Sequence, residues 1–407
     1  MVSIALTGTI IWSACSPILE IAFVLGIHTA IFQGFLSKQI VTAVGIYLSR
    51  SKTVSTTDSK LLSTLIINIM YPCLLFTNVI TGVSTANVAS FGIMTIASIV
   101  ITLIGFAFGF IVMGLTRPPS DFRYGTVMAT AMGNYGDMVL AITLAVGNFA
   151  PFNAGDASKG VAYVAGFMCF ATIFAFTVGY KLIGEDFKHM PKSVLAVNTT
   201  PISEADDLAI VITDESLDTK NVDTSSLKYW LKTCFNPNTV ATLLGLLITL
   251  IPVLRNLFYT ESTATETATS QPLAFIFKAL QLVGNAGVPI GLLNVGSALG
   301  RLEFKKFAPI RVITGIALCR LIVMPILGVV LVQVLVSHGI IDGNDKMMQF
   351  VMMMEASIPT ASTTVYLTQF WHPRGEADAM ASVVVVQYAV AFVTMTLSLA
   401  IILSLLA

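Results

Sequence analysis

The chain has 407 residues, of which 55% are hydrophobic and 11% charged, and its mean hydropathy is +0.85. Soluble domains carry about 25% charged residues, so the composition excludes an ordinary soluble fold and indicates a polytopic membrane protein. The 22 basic and 22 acidic residues cancel, which leaves no net charge to attract nucleic acid or an acidic partner.

A window of about 20 apolar residues, the length needed to cross a bilayer as a helix, predicts ten spans: 14–36, 60–81, 88–115, 123–148, 160–183, 238–258, 272–299, 308–336, 347–370 and 379–406. The N-terminus lacks a basic n-region, which argues against a cleaved signal peptide. Residues 16–49 are largely apolar, with a polar cluster only at Ser37, Lys38 and Gln39. They read as one span followed by a short helix over Ile40–Ser49 at the cytoplasmic face, or as two spans. Glu20 and His28 in this stretch read as a snorkelling and a packing residue.

Span 2 carries Pro72 and Asn78 in Tyr71-Pro72-Cys73-Leu74-Leu75-Phe76-Thr77-Asn78. Span 4 is interrupted at Gly133-Asn134-Tyr135-Gly136-Asp137. Helix-breaking residues at membrane depth leave backbone groups unpaired at several kcal/mol each, unless the break is buried in protein or lines a cavity. After span 5 comes the one long polar stretch, Gly184–Ser226. It is rich in Ser, Thr and acids that include Glu185 and Asp186, and it reads as a cytoplasmic linker. The sequon at Asn198 would go unused on that side. Five spans precede the linker and five follow it, so the predicted units are 1–183, 184–237 and 238–407.

In the second half, span 7 carries Asn285, Pro289 and Asn294, and span 8 carries Arg320. Span 9 is interrupted at Ser357-Ile358-Pro359-Thr360-Ala361-Ser362-Thr363, with Glu355 just ahead. Seventeen of the 22 basic residues fall in the odd-numbered loops, against Lys159, Arg255 and Lys346 in the even ones. The positive-inside rule makes the odd loops cytoplasmic and both termini non-cytoplasmic. An odd number of spans per half puts the halves in opposite orientation, the geometry of an inverted repeat. An offset of 225 residues aligns Ala131 with Ala356, Thr143 with Thr368, Tyr163 with Tyr388 and Phe167 with Phe392 without a gap. Paired interrupted spans in two such halves point to a transporter's binding site.

Five single cysteines read as packing residues, with no disulfide or metal framework. There is no nucleotide-binding fingerprint, HExxH or Ser-His-Asp arrangement, so neither an ATP-driven pump nor an intramembrane enzyme is expected, and no cofactor or metal is called for.

The chain resembles the auxin efflux carrier family, and within it the PIN-LIKES branch and its fungal relatives. The resemblance rests on Asp58-Ser59-Lys60-Leu61-Leu62, Tyr71–Phe76, Gly133–Asp137, Gly287-Val288-Pro289-Ile290-Gly291-Leu292, Gly300-Arg301-Leu302, Arg320 with Met324–Val329, Asn344–Met347 and Ile358-Pro359-Thr360, in shared order. It departs from the family pattern around Gln33–Tyr47, where the approach to span 2 is longer. The resemblance implies an all-α fold of ten helices in two inverted five-helix repeats. Spans 1, 2, 6 and 7 would form a scaffold, and spans 3–5 and 8–10 a transport domain in which spans 4 and 9 cross at their breaks. It also implies an auxin-like carboxylate as substrate, the endoplasmic reticulum (or else the plasma membrane) as location, and a homodimer through the scaffold.

A broken helix exposes a half-helix N-terminus, with roughly half a positive charge and free N–H donors. Two such ends make a site for a small organic anion. Candidate substrate-binding residues are Asn134, Tyr135, Gly136, Asp137, Pro359, Thr360, Ser362 and Thr363 at the breaks, with Asn78, Asn285 and Asn294 on spans 2 and 7. Capping of the breaks and interhelical hydrogen bonding are the competing roles. Ionisable groups at membrane depth are costly. Asp137, Glu355 and Arg320 are therefore candidates for proton or charge coupling, with capping and ion pairing as the alternatives. Gln387 reads as a residue that ties helices together. The expected function is a secondary carrier with elevator-type alternating access; a ligand-binding membrane receptor or a channel is the alternative.

Overall fold

The computed structural model describes residues 38–83, 88–188, 235–259 and 271–407. Predicted span 1 (14–36), Glu20, His28, Cys15, Cys234 and linker residues 189–226, Asn198 among them, lie outside the described residues. These are all-helical: the described part contains no strand, only one isolated antiparallel bridge between Gly133 and Thr360.

The helices are α1 (38–50), α2 (Thr56–Gly82), α3 (Val88–Thr116), α4 (Arg123–Ala131), α5 (Asp137–Val146), α6 (Asp156–Phe187), α7 (Pro237–Leu250), α8 (Pro252–Phe258), α9 (Ala274–Arg301), α10 (Ile310–Ser337), α11 (Lys346–Ala356), α12 (Thr363–Trp371) and α13 (Asp378–Leu406). Six of them (α2, α3, α6, α9, α10, α13) are long and apolar enough to cross a membrane, and the pair α7–α8 makes a seventh if its 113° bend lies within one span. Large apolar side chains on α3 (Ile96, Leu103, Ile111, Leu115) and α7 (Leu243, Leu244, Leu247) face outward, as a lipid-exposed surface requires.

Local chemistry accounts for the ends and irregularities. α2 opens with a capping box, in which Ser55 accepts the Asp58 N–H and Asp58 accepts the Ser55 N–H at 2.8 Å. Its prolyl residue, Pro72, follows a π turn at Ile66–Met70, and Pro325 of α10 likewise follows one at Cys319–Val323. A π turn spreads the missing i→i−4 bond over a wider loop, so the helix continues.

Three boundaries differ from the sequence reading. α6 runs on through Phe187, so Gly184–Phe187 is its last turn and not linker. Asp186 ends that turn by accepting the Tyr124 and Gly125 N–H groups at 3.0 and 2.7 Å, which caps the start of α4. Predicted span 6 (238–258) is a 14-residue helix, about 21 Å long, followed by the sharply bent α8 at the Ile251-Pro252 break. Finally, the helix expected over Ile40–Ser49 covers residues 38–50 as α1. It packs along the last part of α9 in parallel register, where a Cβ on Gly296 would strike the Thr42 carbonyl and one on Gly300 would crowd Ile46 and Ser49.

α2 packs on α7 and α9, while α3 packs on α4 and α6, α10 on α11, and α11 on α6 and α13. The main core lies in the second set, where Met352, Met353 and Met354 are fully buried. α12 and α6 also touch α2, and α13 touches α9. The site lies along this seam.

Candidate functional site

The two breaks solve each other's backbone problem. At the first, α4 ends at Ala131 and the chain passes through extended Met132 to Gly136, whose φ of +94° is open to glycine alone. At the second, α11 ends at Ala356 and α12 starts at Thr363. The Asn134 N–H donates to the Pro359 carbonyl and the Ala361 N–H to the Met132 carbonyl, both at 2.9 Å. Four further carbonyls find side chains. The Thr360 hydroxyl donates to Ala129, the Tyr135 hydroxyl to Ala131 at 3.1 Å, Arg320 Nη2 to Ile358 at 2.8 Å and the Thr364 hydroxyl to Ala361 at 2.7 Å. The Thr360 N–H donates to Gln387 Oε1 at 3.0 Å. Unpaired backbone in a bilayer would cost several kcal/mol per group, and this pairing lowers that cost.

Consecutive residues of α13 hold both breaks. Gln387 takes Thr360 of the second, and Tyr388 takes Asn134 of the first, through an Asn134 Nδ2 to Tyr388 hydroxyl bond of 2.7 Å.

Beside the breaks is a cavity of about 320 Å³. Its wall takes Asn134, Tyr135 and Gly136 from the first break, Ser362 and Thr363 from the second, and Asn78, Tyr71 and Asn285 from α2 and α9. The N-terminal ends of α5 and α12 thus both border the cavity. A second, mainly aliphatic chamber of about 180 Å³ shares Leu75, Asn78, Leu140 and Met168 with it and extends along Val161, Val164, Ala165 and Cys169. Seven of the predicted substrate-binding residues line the cavity. Pro359 and Thr360 instead belong to the bridge, and Thr360 is fully buried. Asn294 is fully buried too, and donates to the Ser59 carbonyl (3.1 Å), Ser63 Oγ (2.8 Å) and Gln369 Oε1 (2.8 Å). It ties α2, α9 and α12 together and lines no part of the cavity. Asp137 is the first residue of α5; its side chain lies outside what is described.

Arg320 and Glu355 are both fully buried and neither lines the cavity. Arg320 lies over the Tyr135 ring at 5.6 Å and has no bond from its Nε. Among the described residues the Glu355 carboxylate makes no hydrogen bond of good geometry. The Gly136 N–H and the Arg320 guanidinium are the polar groups facing it, and no ion pair within 4.0 Å joins it to Arg320. Among the described residues no cluster of three or more His, Cys, Asp or Glu could hold a metal ion.

Sequence reasoning did not single out Tyr71, Tyr366, Gln369 or Tyr388 for the site. Tyr71 meets Tyr366 hydroxyl to hydroxyl at 2.7 Å, linking α2 to α12, and Tyr366 lies 3.2 Å from the Thr363 hydroxyl. Tyr71 is seven residues before Asn78, nearly two helical turns, and so shares its face; that spacing could have flagged it.

A family model described as membrane transport protein matches residues 35–399. The chain is 27% identical to Protein PIN-LIKES 1 of Arabidopsis thaliana over 88% of its own length and 75% of the relative's. It is 24% identical to Protein PIN-LIKES 2 of the same plant over 79% and 82%. With Protein ECM3 of Saccharomyces cerevisiae it shares 32% identity over 42% of this chain and 31% of the yeast protein. An integral membrane protein of apolar helices, with two interrupted helices paired beside a polar cavity, the chain belongs to the membrane transport protein family, that of the auxin efflux carriers.

Proposed function

We propose that this chain is a secondary carrier of a small organic anion, an auxin-like carboxylate, working by elevator-type alternating access. The observation that carries this reading is the convergence of two half-helix N-termini and three asparagine side chains, Asn78, Asn134 and Asn285, on one cavity. Such ends favour negative charge, and amide N–H groups are its neutral donors. The adjoining aliphatic chamber has room for an apolar body attached to the carboxylate.

In this reading the halves form ten spans in two inverted repeats, with α4–α5 and α11–α12 as the broken spans 4 and 9. Span 1, α2, α7–α8 and α9 are the scaffold. The bridge makes the two broken spans one body, and the seam against α2 and α9 is where movement occurs. Glu355 faces the same α5 N-terminus that borders the cavity, from the buried side. A neutral Glu355 leaves that positive end to the substrate, and an ionised one competes with it, which couples proton and anion. Arg320 holds the break in place by its bond to Ile358. Asp137 begins the same half-helix.

Uptake of radiolabelled auxin into proteoliposomes, with and without a pH gradient, tests the carrier. Saturable flux supports it; saturable binding by the intact protein with no flux would make the chain a receptor. Asn134→Ala weakens binding about tenfold with the protein still folded. Glu355→Gln abolishes the dependence of flux on the pH gradient; unchanged dependence removes Glu355 from the coupling.

A further inference from the structure

The geometry points to Met168 as a specificity-determining residue: it forms the neck through which the apolar body of a carboxylate passes from the anion site into the aliphatic chamber, and it selects flexible arylalkanoates over rigid ones. This rests on the anion reading above and deepens it.

The cavity and the chamber have four wall residues in common: Leu75 and Asn78 on α2, Leu140 on α5 and Met168 on α6. On α6, Val161, Ala165, Met168, Thr172 and Ala175 follow one another at intervals of three and four residues and so form one stripe of the helix. The first two line the chamber and the last two the cavity. Met168 is the one long side chain of the stripe, and it stands at the position the two spaces share. Its sulfur lies against the bare Cα of Gly136, at the N-terminal end of α5, where a Cβ would strike it. An acid held at that half-helix end therefore begins its apolar body beside Met168. Leu75 is buried and branched, whereas Met168 is half-buried and unbranched, with three rotatable bonds and a soft thioether. Met168 is thus the adaptable member of the neck. It yields to a methylene chain, which is narrow, and obstructs a rigid aryl axis, which needs the neck open to the full width of a ring. Beyond it no charged residue lines the chamber. The Thr81 and Thr242 hydroxyls donate to carbonyls of their own helices, so the chamber favours an apolar group.

The test measures binding of phenylacetate, 4-phenylbutanoate and the rigid 4-biphenylacetate to the purified protein by titration calorimetry. Wild type binds 4-phenylbutanoate more than about tenfold tighter than phenylacetate, the effect of burying two further methylenes. Val161→Phe fills the chamber two turns away from the neck, and Met168→Phe stiffens the neck itself; each brings that ratio down toward one. Met168→Ala widens the neck and raises the affinity for 4-biphenylacetate relative to phenylacetate by about tenfold. Melting temperatures show which variants fold, and if Met168→Phe does not, Met168→Ala decides with an effect of opposite sign. A wild-type ratio near one, or a ratio that Val161→Phe does not move, puts the apolar body outside the chamber and overturns the proposal with the anion site still standing. A ratio that responds to Val161→Phe and to neither change at Met168 overturns the role of Met168. A wild type that binds none of the three acids overturns the anion site and this inference together.

Discussion

The guanidinium of Arg320 lies against the bare Cα of Gly133. A Cβ at position 133 would collide with Arg320 Nη2 and also crowd the Tyr135 ring. The same Nη2 reaches past this point to the Ile358 carbonyl. Glycine at the first break is therefore what lets an arginine from α10 hold the second.

Gly133→Ala should destabilise the protein by about 1–3 kcal/mol, the usual range for overpacking a tight interior. Arg320 is fully buried and already bonded, so it has no free direction in which to retreat. Thermal unfolding in detergent measures the loss. A melting temperature equal to wild type would mean that the arginine gives way, and that its bond to Ile358 contributes little.

Asn294→Leu should cost more than its change in size suggests. Its amide serves Ser63, Gln369 and the Ser59 carbonyl at once; Ser63 Oγ still reaches Gln369 and the Ser59 carbonyl without it, so the loss is that of the bonds themselves, about 0.5–1.5 kcal/mol each. The bond to Gln369 crosses from α9 to α12, so any sliding of that seam must break it, while the bonds to Ser59 and Ser63 tie α9 to α2. The substitution should lower thermal stability and raise the reactivity of a cysteine placed at Ser63 toward a maleimide. Stability loss without added reactivity would confine Asn294 to packing.

Asp186 and Glu185 are adjacent acids with opposite expectations. Asp186→Ala removes the acceptor for two N–H groups at the start of α4 and should cost about 1–3 kcal/mol. Glu185 makes an ion pair with Lys188 at 2.6 Å near the surface, and Glu185→Ala should change stability by less than about 1 kcal/mol. Chemical denaturation of the two variants side by side gives the comparison.

His372, in the turn after α12, accepts the Arg374 and Glu376 N–H groups through its Nδ1, at 3.2 and 3.1 Å. Burial pushes its pKa down to about 4; Arg374 and Lys60 push the same way, while Glu376 and Asp121 oppose them. The folded protein thus holds the neutral ring where the unfolded chain, near 6.5, would take a proton. The stability this turn contributes is fully present above about pH 6.5 and is lost as pH falls toward 4, by at most about 3 kcal/mol. His372→Asn, which offers an oxygen near the position of Nδ1, should flatten the melting temperature over that pH interval. An equally steep decline in the variant would assign the effect to other groups.

The breaks were legible in the sequence because glycine, proline and polar residues are conspicuous inside apolar segments. Their partners were not, since a carbonyl's acceptor role leaves no mark on residue identity: nothing in Met132 or Ala361 announces that they bond. Gln387 was read as a tie between helices, but its partner Thr360 and the role of Tyr388 were hidden in an apolar helix, where one polar residue has many possible neighbours. Asn294 illustrates a reading that periodicity could have corrected. It lies nine residues after Asn285, two and a half turns of helix, so the two side chains leave α9 on opposite faces. Asn285 borders the cavity and Asn294 is buried against Ser63 and Gln369. The true end of α6 was masked by composition. Glu185 and Asp186 open an acidic stretch, yet Asp186 is spent on the backbone of α4.

The bridge between Gly133 and Thr360 also has a consequence for biogenesis. Its two strands of chain are about 225 residues apart, and at synthesis rates of about 5–20 residues per second they are made on the order of 10–45 s apart. During that interval the Met132 carbonyl and the Asn134 N–H have been inserted without the groups that later satisfy them. The nascent first half therefore waits at the membrane with an open polar seam, a natural station for an insertion chaperone. A chain truncated before Pro359 never closes that seam, and quality control has a reason to remove it.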